Sequence, residues 1–417
     1  MRRRYAPAAI AASTLLAVGA SALSAHAASP SAAAPARDAA VDNYIVVLDD
    51  NTVSSRLASA HDARFGIDVG HVYNSALRGY AARMTPAVAD LIALDPAVKW
   101  VQEDTAVSTT AQSTPTGINR SEADVSPTAR INGADERVNV DVAVIDTGVD
   151  LTHPDINVYG AGAKNCSTGG VNANDLNGHG THVSGTVGAV DNGSGVVGMA
   201  PGARIWPVKV LTDAGSGLNS DVICGIDYVT ANADEIEVAN MSLGGGGADD
   251  GNCGNTNNDA MHKAICRSVA AGITYAVAAG NDSENAADST PAAYDEVITV
   301  SALADFNGQP GGGAPSTCRS DQDDTFASFS NFGADVDIIA PGVCINSTWM
   351  LGGYNTISGT SMASPHVAGG AALYKANNPG ASPAQVKAAL QSAGTTNWSN
   401  ADDPDGVKEP LLNVAAY

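Results

Sequence analysis

Between residues 140 and 300 the chain repeats one pattern: a short, continuous apolar run rich in β-branched residues, then a stretch of small residues. The runs are Val140–Ile145, Arg204–Val210, Glu237–Met241, Thr274–Ala279 and Val297–Val300. A strand buried on one face alternates apolar and polar residues, whereas a strand buried on both faces has no reason to alternate. Continuous strands separated by helical segments therefore predict an α/β fold, a doubly wound, mostly parallel sheet with helices on both faces. Open sheets of this kind place their site outside the carboxyl ends of the strands. Asp146 directly follows the first run, and Asn281 stands just beyond the fourth. The chain stops at Tyr417, so no further C-terminal module is expected.

Three segments, far apart in sequence, bring groups that suit acyl transfer: Val-Ile-Asp146-Thr-Gly, Gly-His179-Gly-Thr-His182 and Gly-Thr-Ser361-Met-Ala-Ser-Pro365. A serine hydroxyl is a poor nucleophile until a neighbouring base takes its proton. Ser361 is the candidate nucleophile, His179 the general base and then acid, and Asp146 the carboxylate that fixes the imidazole tautomer. Asp, His, Ser is one of the known chain orders of this triad. Each residue alone has a plain structural alternative: Asp146 as a cap after a strand, His179 as a loop residue between glycines, Ser361 as a helix N-cap. Three extended segments in the right order outweigh those alternatives.

On these segments, and from about residue 43 to its end, the chain resembles the subtilisin-like serine peptidases, the subtilase family. The resemblance implies a secreted serine endopeptidase that works through an acyl-enzyme on Ser361. In the family motif the first histidine is catalytic, which selects His179 and leaves His182 and His366 as hydrogen-bonded structural residues. Asn281, in Ala278-Ala-Gly-Asn281, matches the family's side-chain donor to the developing oxyanion, with the Ser361 N–H as the second donor. Ser242-Leu243-Gly244 and Gly215-Ser216-Gly217 match two backbone rims that pair with an extended peptide as added strands. The small residues Ala278 and Gly280 imply an open primary pocket, broad specificity and a preference for apolar or aromatic P1 side chains. No acidic residue is expected where it would select Lys or Arg. The segment from Gly280 to Val300 matches the proteinase K branch in length, whereas the loop at 190–196 matches the bacterial subtilisins, so features of both branches are combined.

The resemblance also implies structural calcium. One site would combine Gln112, Asp155 and the loop Val190-Asp-Asn192-Gly-Ser194-Gly-Val196; a second would join Asp337 to the carbonyls of Asp295 and Val297. Oxygen-only donors suit this hard cation. The plainer alternative is that Asp155 caps a turn and Asn192-Gly193 makes one.

The N-terminal region reads as address and precursor. Residues 1–27 have the form of a signal peptide: Arg2 to Arg4, an apolar stretch from Ala8 to Ala22, and Ala25-His26-Ala27 as a small-x-small cleavage site. A membrane anchor is disfavoured by the short stretch and by Pro30 and Pro35, and twin-arginine export by Ala6-Pro7. Residues 28–42, rich in Ala, Ser and Pro, form a spacer. Strand Tyr44–Asp49, helix Val53–Phe65, strand Leu77–Met84, helix Thr85–Leu94 and strand Val98–Val101 then predict a small α+β sandwich. Beside a subtilase core, residues 43–110 resemble the family's inhibitory propeptide, including the Trp100-Val-Gln-Glu-Asp104 ending. Such a unit chaperones folding and then occupies the active site as a product-like tail. Ala111-Gln112-Ser113, with Pro115 and Gly117, resembles a mature bacterial subtilisin N-terminus, so self-cleavage is expected between Thr110 and Ala111, leaving residues 111–417 as the catalytic domain.

The formal net charge is -23, and nearly all the excess acid falls after residue 110. Such a surface repels nucleic acid and anionic membranes, so neither is an expected partner. Protein and peptide substrates and the chain's own propeptide are, and a monomer is expected. The six cysteines, Cys166, Cys224, Cys253, Cys266, Cys318 and Cys344, argue for disulfides in an exported chain. Many pairings are possible, and neighbours in sequence are favoured: Cys253–Cys266, Cys318–Cys344 and the remaining Cys166–Cys224. A binding scaffold without turnover would not need a complete set of catalytic and oxyanion groups. An esterase on the same triad would not need the peptide rims.

Overall fold

The computed structural model describes residues 42–104, 111–167 and 172–417. The expected signal peptide, nearly all of the spacer and Thr110 lie outside the described residues. The chain divides into two compact units that part between Ser108 and Thr109.

The first unit is built from β1 (Asp42–Leu48), α1 (Ser54–Phe65), β2 (Asp68–Tyr73), β3 (Gly79–Met84), α2 (Pro86–Ala93) and β4 (Val98–Glu103). The strands form an antiparallel sheet in the order β2-β3-β1-β4. Alternate residues of β1, Tyr44, Val46 and Leu48, meet Tyr80 and Ala82 of β3, Ala58 of α1 and Ile92 of α2 in one core. Thr85 caps α2 by accepting from the Val88 N–H at 3.4 Å, and Gly66 ends α1 in the left-handed region at φ 66. β2 carries little legible signal, being mostly exposed with Gly70 inside it; its pairing with β3 defines it.

The second unit begins with α3 (Thr116–Arg120), β5 (Asp141–Asp146), β6 (Lys164–Asn165), α4 (His179–Gly188), β7 (Arg204–Lys209), α5 (Asn219–Ala231), β8 (Val238–Met241) and β9 (Gly245–Gly246). It continues through α6 (Ala260–Ala270), β10 (Thr274–Ala278), β11 (Ser289–Thr290), β12 (Ile298–Ala304), β13 (Thr325–Phe326) and β14 (Ile338–Pro341). A hairpin of β15 (Ile345–Trp349) and β16 (Gly353–Ile357) precedes α7 (Thr360–Asn377) and α8 (Pro383–Ala393). The main sheet runs β13-β12-β10-β8-β5-β7-β6, with β14 beside β12. Every pairing in it is parallel except that of β13 with β12.

Successive residues of β5 enter two different cores. Val142 and Val144 pack with Val183 and Val187 of α4 and Val367 and Ala371 of α7. Ala143 and Ile145 pack with Val222 and Ile226 of α5 and Ile265 of α6 on the opposite face. Burial on both faces is the physical reason the sequence runs are continuous. The mostly parallel sheet puts the ends of β5, β8 and β10 along one edge, and α4 and α7 lie side by side behind it.

Three disulfides join Cys166 to Cys224, Cys253 to Cys266 and Cys318 to Cys344, closing loops of 58, 13 and 26 residues. A cross-link restricts the unfolded chain more as the loop lengthens. Replacing both cysteines of a pair by serine, in an inactive Ser361→Ala background, should therefore cost roughly 2–4 kcal/mol, most for Cys166–Cys224 and least for Cys253–Cys266. Guanidinium unfolding of the three double variants measures the order; a largest loss at Cys253–Cys266 would contradict it.

Candidate active site

β5 ends on Asp146, whose carboxylate is wholly buried. α4 starts at His179 and approaches the loop after β5 closely: the Gly180 N–H donates to Thr147 Oγ1 at 2.9 Å. A Cβ at Gly180 would collide with the Gly148 carbonyl oxygen, so glycine is what allows the approach. As a result His179 Nδ1 stands 2.8 Å from Asp146 Oδ1. With Nδ1–H donating there, Nε2 carries the lone pair needed by a base. Asp175 fastens the same corner, accepting from Thr147 Oγ1 and from the backbone N–H groups of Asn177, Gly178 and Thr181. Sequence reasoning did not single out Asp175; its only signal is its place just before Gly-His179-Gly.

The three histidines of these motifs differ in environment. Burial works against a charge on His179, but the Asp146 carboxylate, with its hydrogen bond, and Asp175 outweigh it and hold the imidazole above its ordinary value. His182 is completely buried with Nε2 against the Ile345 carbonyl at 2.9 Å, and burial pushes it down to about 3. His366, with Nδ1 donating to the Met362 carbonyl at 2.8 Å, is pushed down to about 4 by burial. Both stay neutral and structural.

Ser361 is the second residue of α7. Its Oγ donates to the Ser242 carbonyl at 3.3 Å, while Ser242 Oγ donates to the Ser361 carbonyl at 2.8 Å. Asn240 Nδ2 donates to Ser242 Oγ at 2.9 Å and Ser364 Oγ to Asn240 Oδ1 at 2.8 Å, which ties the start of α7 to the end of β8. Among the described residues Ser361 Oγ has the Ser242 carbonyl as its one partner and makes no hydrogen bond to His179; catalytic hydrogen bonds commonly form or tighten only with substrate in place. Asn281 follows β10 and is anchored by its oxygen, Oδ1 accepting from the Thr360 N–H at 2.8 Å and from Thr360 Oγ1 at 3.0 Å. Its Nδ2 is thereby left as a fixed donor in the cavity that Ser361 lines.

Two adjoining cavities share Leu243, Gly244, Gly245 and Thr290. The first is walled by Gly215, Ser216 and Gly217 on one side and by Ser242, Leu243 and Gly244 on the other, with Leu211, Val222 and Met261 as apolar lining and His179 at its edge. The second has walls of Ala278, Ala279, Gly280 and Ala292 and reaches Asn281 and Ser361. Asp282, Glu284 and Asp288 also line it, all three exposed.

The first expected calcium set converges on one loop. Asp155 is buried, and burial holds its carboxyl above the usual range despite hydrogen bonds from the Val196 N–H, Tyr354 OH and Asn192 Nδ2. Gln112 Oε1 accepts from the N–H groups of Asn192 and Gly193, and its amide donates to Asp191. Asn192 Oδ1 accepts from the Ser194 N–H, and the Val190 N–H donates to the Asp155 carbonyl. Asp191 and Tyr354, unforeseen from the motif, therefore belong to the same network. The oxygens are of the right kind for a hard cation, and among the described residues neither of the two buried carboxylates, Asp155 and Asp191, pairs with a cationic side chain.

The second set needs correcting. Asp295, Val297 and Asp337 are brought together, but around a cation the chain supplies itself. Lys387 Nζ donates to the Asp295 carbonyl at 3.2 Å and the Val297 carbonyl at 2.8 Å, and pairs with Asp337 Oδ2 at 2.7 Å. A metal ion there would meet a like charge at contact distance, so these three residues do not fit a calcium site in this chain.

The subtilase family model matches residues 137–407, and that of peptidase inhibitor I9 matches residues 43–110. The chain belongs to the subtilase family. Subtilisin E of Bacillus subtilis (strain 168) is 40% identical to it over 304 residues, covering 72% of this chain and 71% of its own. An alkaline protease of Shouchella clausii is 36% identical over 316 residues, with 76% and 74% covered. Among solved structures, a cold adapted subtilisin-like serine proteinase has a TM-score of 0.55 at 34% identity, covering 72% of this chain and 98% of that one. This subtilase is accordingly a serine endopeptidase with the subtilisin-like fold and an I9 propeptide.

The raised basicity of His179 sets a pH dependence. The unprotonated imidazole forms only above its elevated value, so kcat/KM of the subtilase should rise with pH through an acid limb lying above that of an ordinary histidine. Asp146→Asn removes the charge that holds the proton, which moves that limb to lower pH and lowers kcat by roughly 10⁴-fold, the size known for such triads. A pH–rate profile of both forms checks this; an unmoved limb would assign it to another group.

Proposed function

We propose that this subtilase is secreted as an inactive precursor and cleaves peptide bonds with Ser361, His179 and Asp146 as its triad. Support comes chiefly from one geometric feature: the His179–Asp146 bond of 2.8 Å beside an asparagine amide, Asn281, anchored through its oxygen and open to the cavity of Ser361. Ser361 Oγ bonds to the scissile carbonyl carbon as its proton passes to His179 Nε2. Asp146 stays ionised and stabilises the imidazolium. Asn281 Nδ2 and the Ser361 N–H donate to the oxyanion. The C–N bond then breaks with the proton passing from His179 to the leaving amine, and water repeats the sequence to release the acyl group.

The backbones at 215–217 and 242–244 both line the first cavity, which suits an extended peptide laid between them. The alanine and glycine walls of the second cavity suit apolar or aromatic P1 side chains within a broad range. Asp282, Glu284 and Asp288 at that cavity add a bias against acidic P1 residues and tolerance of basic ones. The I9 unit keeps the enzyme silent until the chain is cut between Thr110 and Ala111. Three disulfides and the signal-like N-terminus support export.

A calcium ion is assigned to Gln112, Asp155 and Asn192 with the carbonyls of Val190, Ser194 and Val196. The buried Asp155 carboxylate supports this reading, since a cation would remove the penalty that burial imposes on its charge. The ion would brace the loops behind Asp146 and His179 and take no part in the chemistry.

Expression of wild type and Ser361→Ala tests the reading. Wild type should start near Ala111, react with a fluorophosphonate and cleave casein and P1 peptides, poorest at P1 Glu. Ser361→Ala should remain an uncut, unlabelled precursor. Asn281→Ala should lower kcat by roughly 10²–10³-fold with KM nearly unchanged, a magnitude carried over from subtilisin's own oxyanion asparagine. Labelling without peptide cleavage would favour an esterase instead. Chelation should lower the Tm of mature enzyme, and Asp155→Asn should make that drop smaller; an equal drop in both would remove the ion from this loop.

A further inference from the structure

Three of the four carboxylates in the loop between Trp398 and Leu411, those of Asp403, Asp405 and Glu409, cluster together and line neither cavity of the active site. Asp403 and Glu409 are only 7% and 3% exposed. Among the described residues none of their four carboxylate oxygens has a hydrogen-bond partner. Asp405 sits at the loop surface, and one oxygen from each of the three residues lies within 4.8 Å of the others. Among the described residues no lysine, arginine or histidine pairs with any of them. The neighbouring Lys408 turns away, its Nζ lying 5.6 Å from the centre of the Trp398 ring.

Buried carboxylates are normally paired, hydrogen-bonded or bound to a metal, and two side by side with none of these are strongly disfavoured as anions. The loop nevertheless holds them together by design of its backbone. The Asp403 N–H donates to the Asn400 carbonyl and the Gly406 N–H to the Asp403 carbonyl, both at 3.2 Å. Asn400 Nδ2 donates to the Gly406 carbonyl at 2.9 Å, and the Val407 N–H to Asp405 Oδ1 at 2.8 Å. Gly406, at φ 70, makes the turn that brings residues 403, 405 and 409 onto one point.

We propose that Asp403, Asp405 and Glu409 form a binding site for a calcium-sized hard cation. The donors are all oxygen, which favours calcium over metals that prefer nitrogen or sulfur. Oxygens around one calcium at about 2.4 Å stand up to about 4.8 Å apart, which the cluster satisfies without rearrangement. The alternative occupant is the proton: burial first, and then the neighbouring carboxylates, push Glu409 up to about 8 and Asp403 up to about 6. A bound ion would pin the loop to the sheet edge, because Trp398 Nε1 donates to the Glu409 carbonyl at 3.1 Å and packs with Leu303, Phe326, Ile339 and Leu411. This site shares no residue with the loop at 190–196, so either assignment can fail alone.

Trp398 supplies the probe. Terbium is added to metal-free Ser361→Ala full-length chain and its emission read through tryptophan excitation, with calcium as competitor and calorimetry counting calcium ions. Wild-type loop sequence should give emission that calcium displaces. Asp405→Asn with Glu409→Gln should lose that emission and one calcium per chain. Trp398→Phe should lose the emission and keep the calcium count. Asp405→Asn alone, at an exposed side chain, should weaken terbium at least roughly tenfold if the double variant does not fold. Emission and calcium count unchanged in the carboxylate variants, or no ion lost from the count, would assign protons to the cluster and overturn the site.

Discussion

The candidate catalytic arrangement depends on how closely α4 can approach the loop that leaves β5. The Gly180 backbone lies against Gly148, and any side chain there would strike the Gly148 carbonyl oxygen. That approach sets the His179–Asp146 distance, and Asp175 locks it by accepting hydrogen bonds from both sides of the contact. The rest of the second unit holds this corner in register. The parallel sheet fixes β5, β8 and β10 relative to one another, and the Asn240–Ser242–Ser361–Ser364 network ties α7 to the same edge.

Environment, more than residue type, sorts the ionisable groups. His179, His182 and His366 have the same side chain, yet only His179 has a buried carboxylate on one nitrogen and an open cavity near the other. The two others face backbone carbonyls in the core and are kept neutral. Carboxylates divide in the same way. Asp337 is answered by the tethered ammonium of Lys387, whereas Asp403 and Glu409 have no side-chain partner among the described residues. A long-range partner such as Lys387 changes what a carboxylate cluster can hold without altering the motif that suggested it.

Much of the site was legible because motifs carry their own local geometry. Asp146 ends a strand, His179 opens a helix after glycine, and Ser361 opens another, so each side chain's neighbours are largely set by adjacent residues. The groups that escaped sequence reasoning are those whose role comes from residues distant in the chain. Asp175 acts on Thr147, Asp191 on Gln112 and Asn132, and Lys387 on Asp295 and Asp337. The acidic lining of the second cavity has a related origin: Asp282, Glu284 and Asp288 lie between β10 and β11, where no long element carries a periodicity that predicts the course of the chain. β2 was missed because an exposed edge strand needs little apolar patterning.

The sequence by itself determined the fold class, the order of the candidate triad and the existence of a separate N-terminal unit. Those follow from local patterns: continuous β-branched runs, glycine-flanked functional residues and a change of composition between units. The tertiary structure alone decided which oxygens are already satisfied, which carboxylates are left buried without partners, and which cation belongs at Asp337. Pairing and burial are properties of three-dimensional neighbours, and electrostatic cost depends on those neighbours far more than on the residue's own identity.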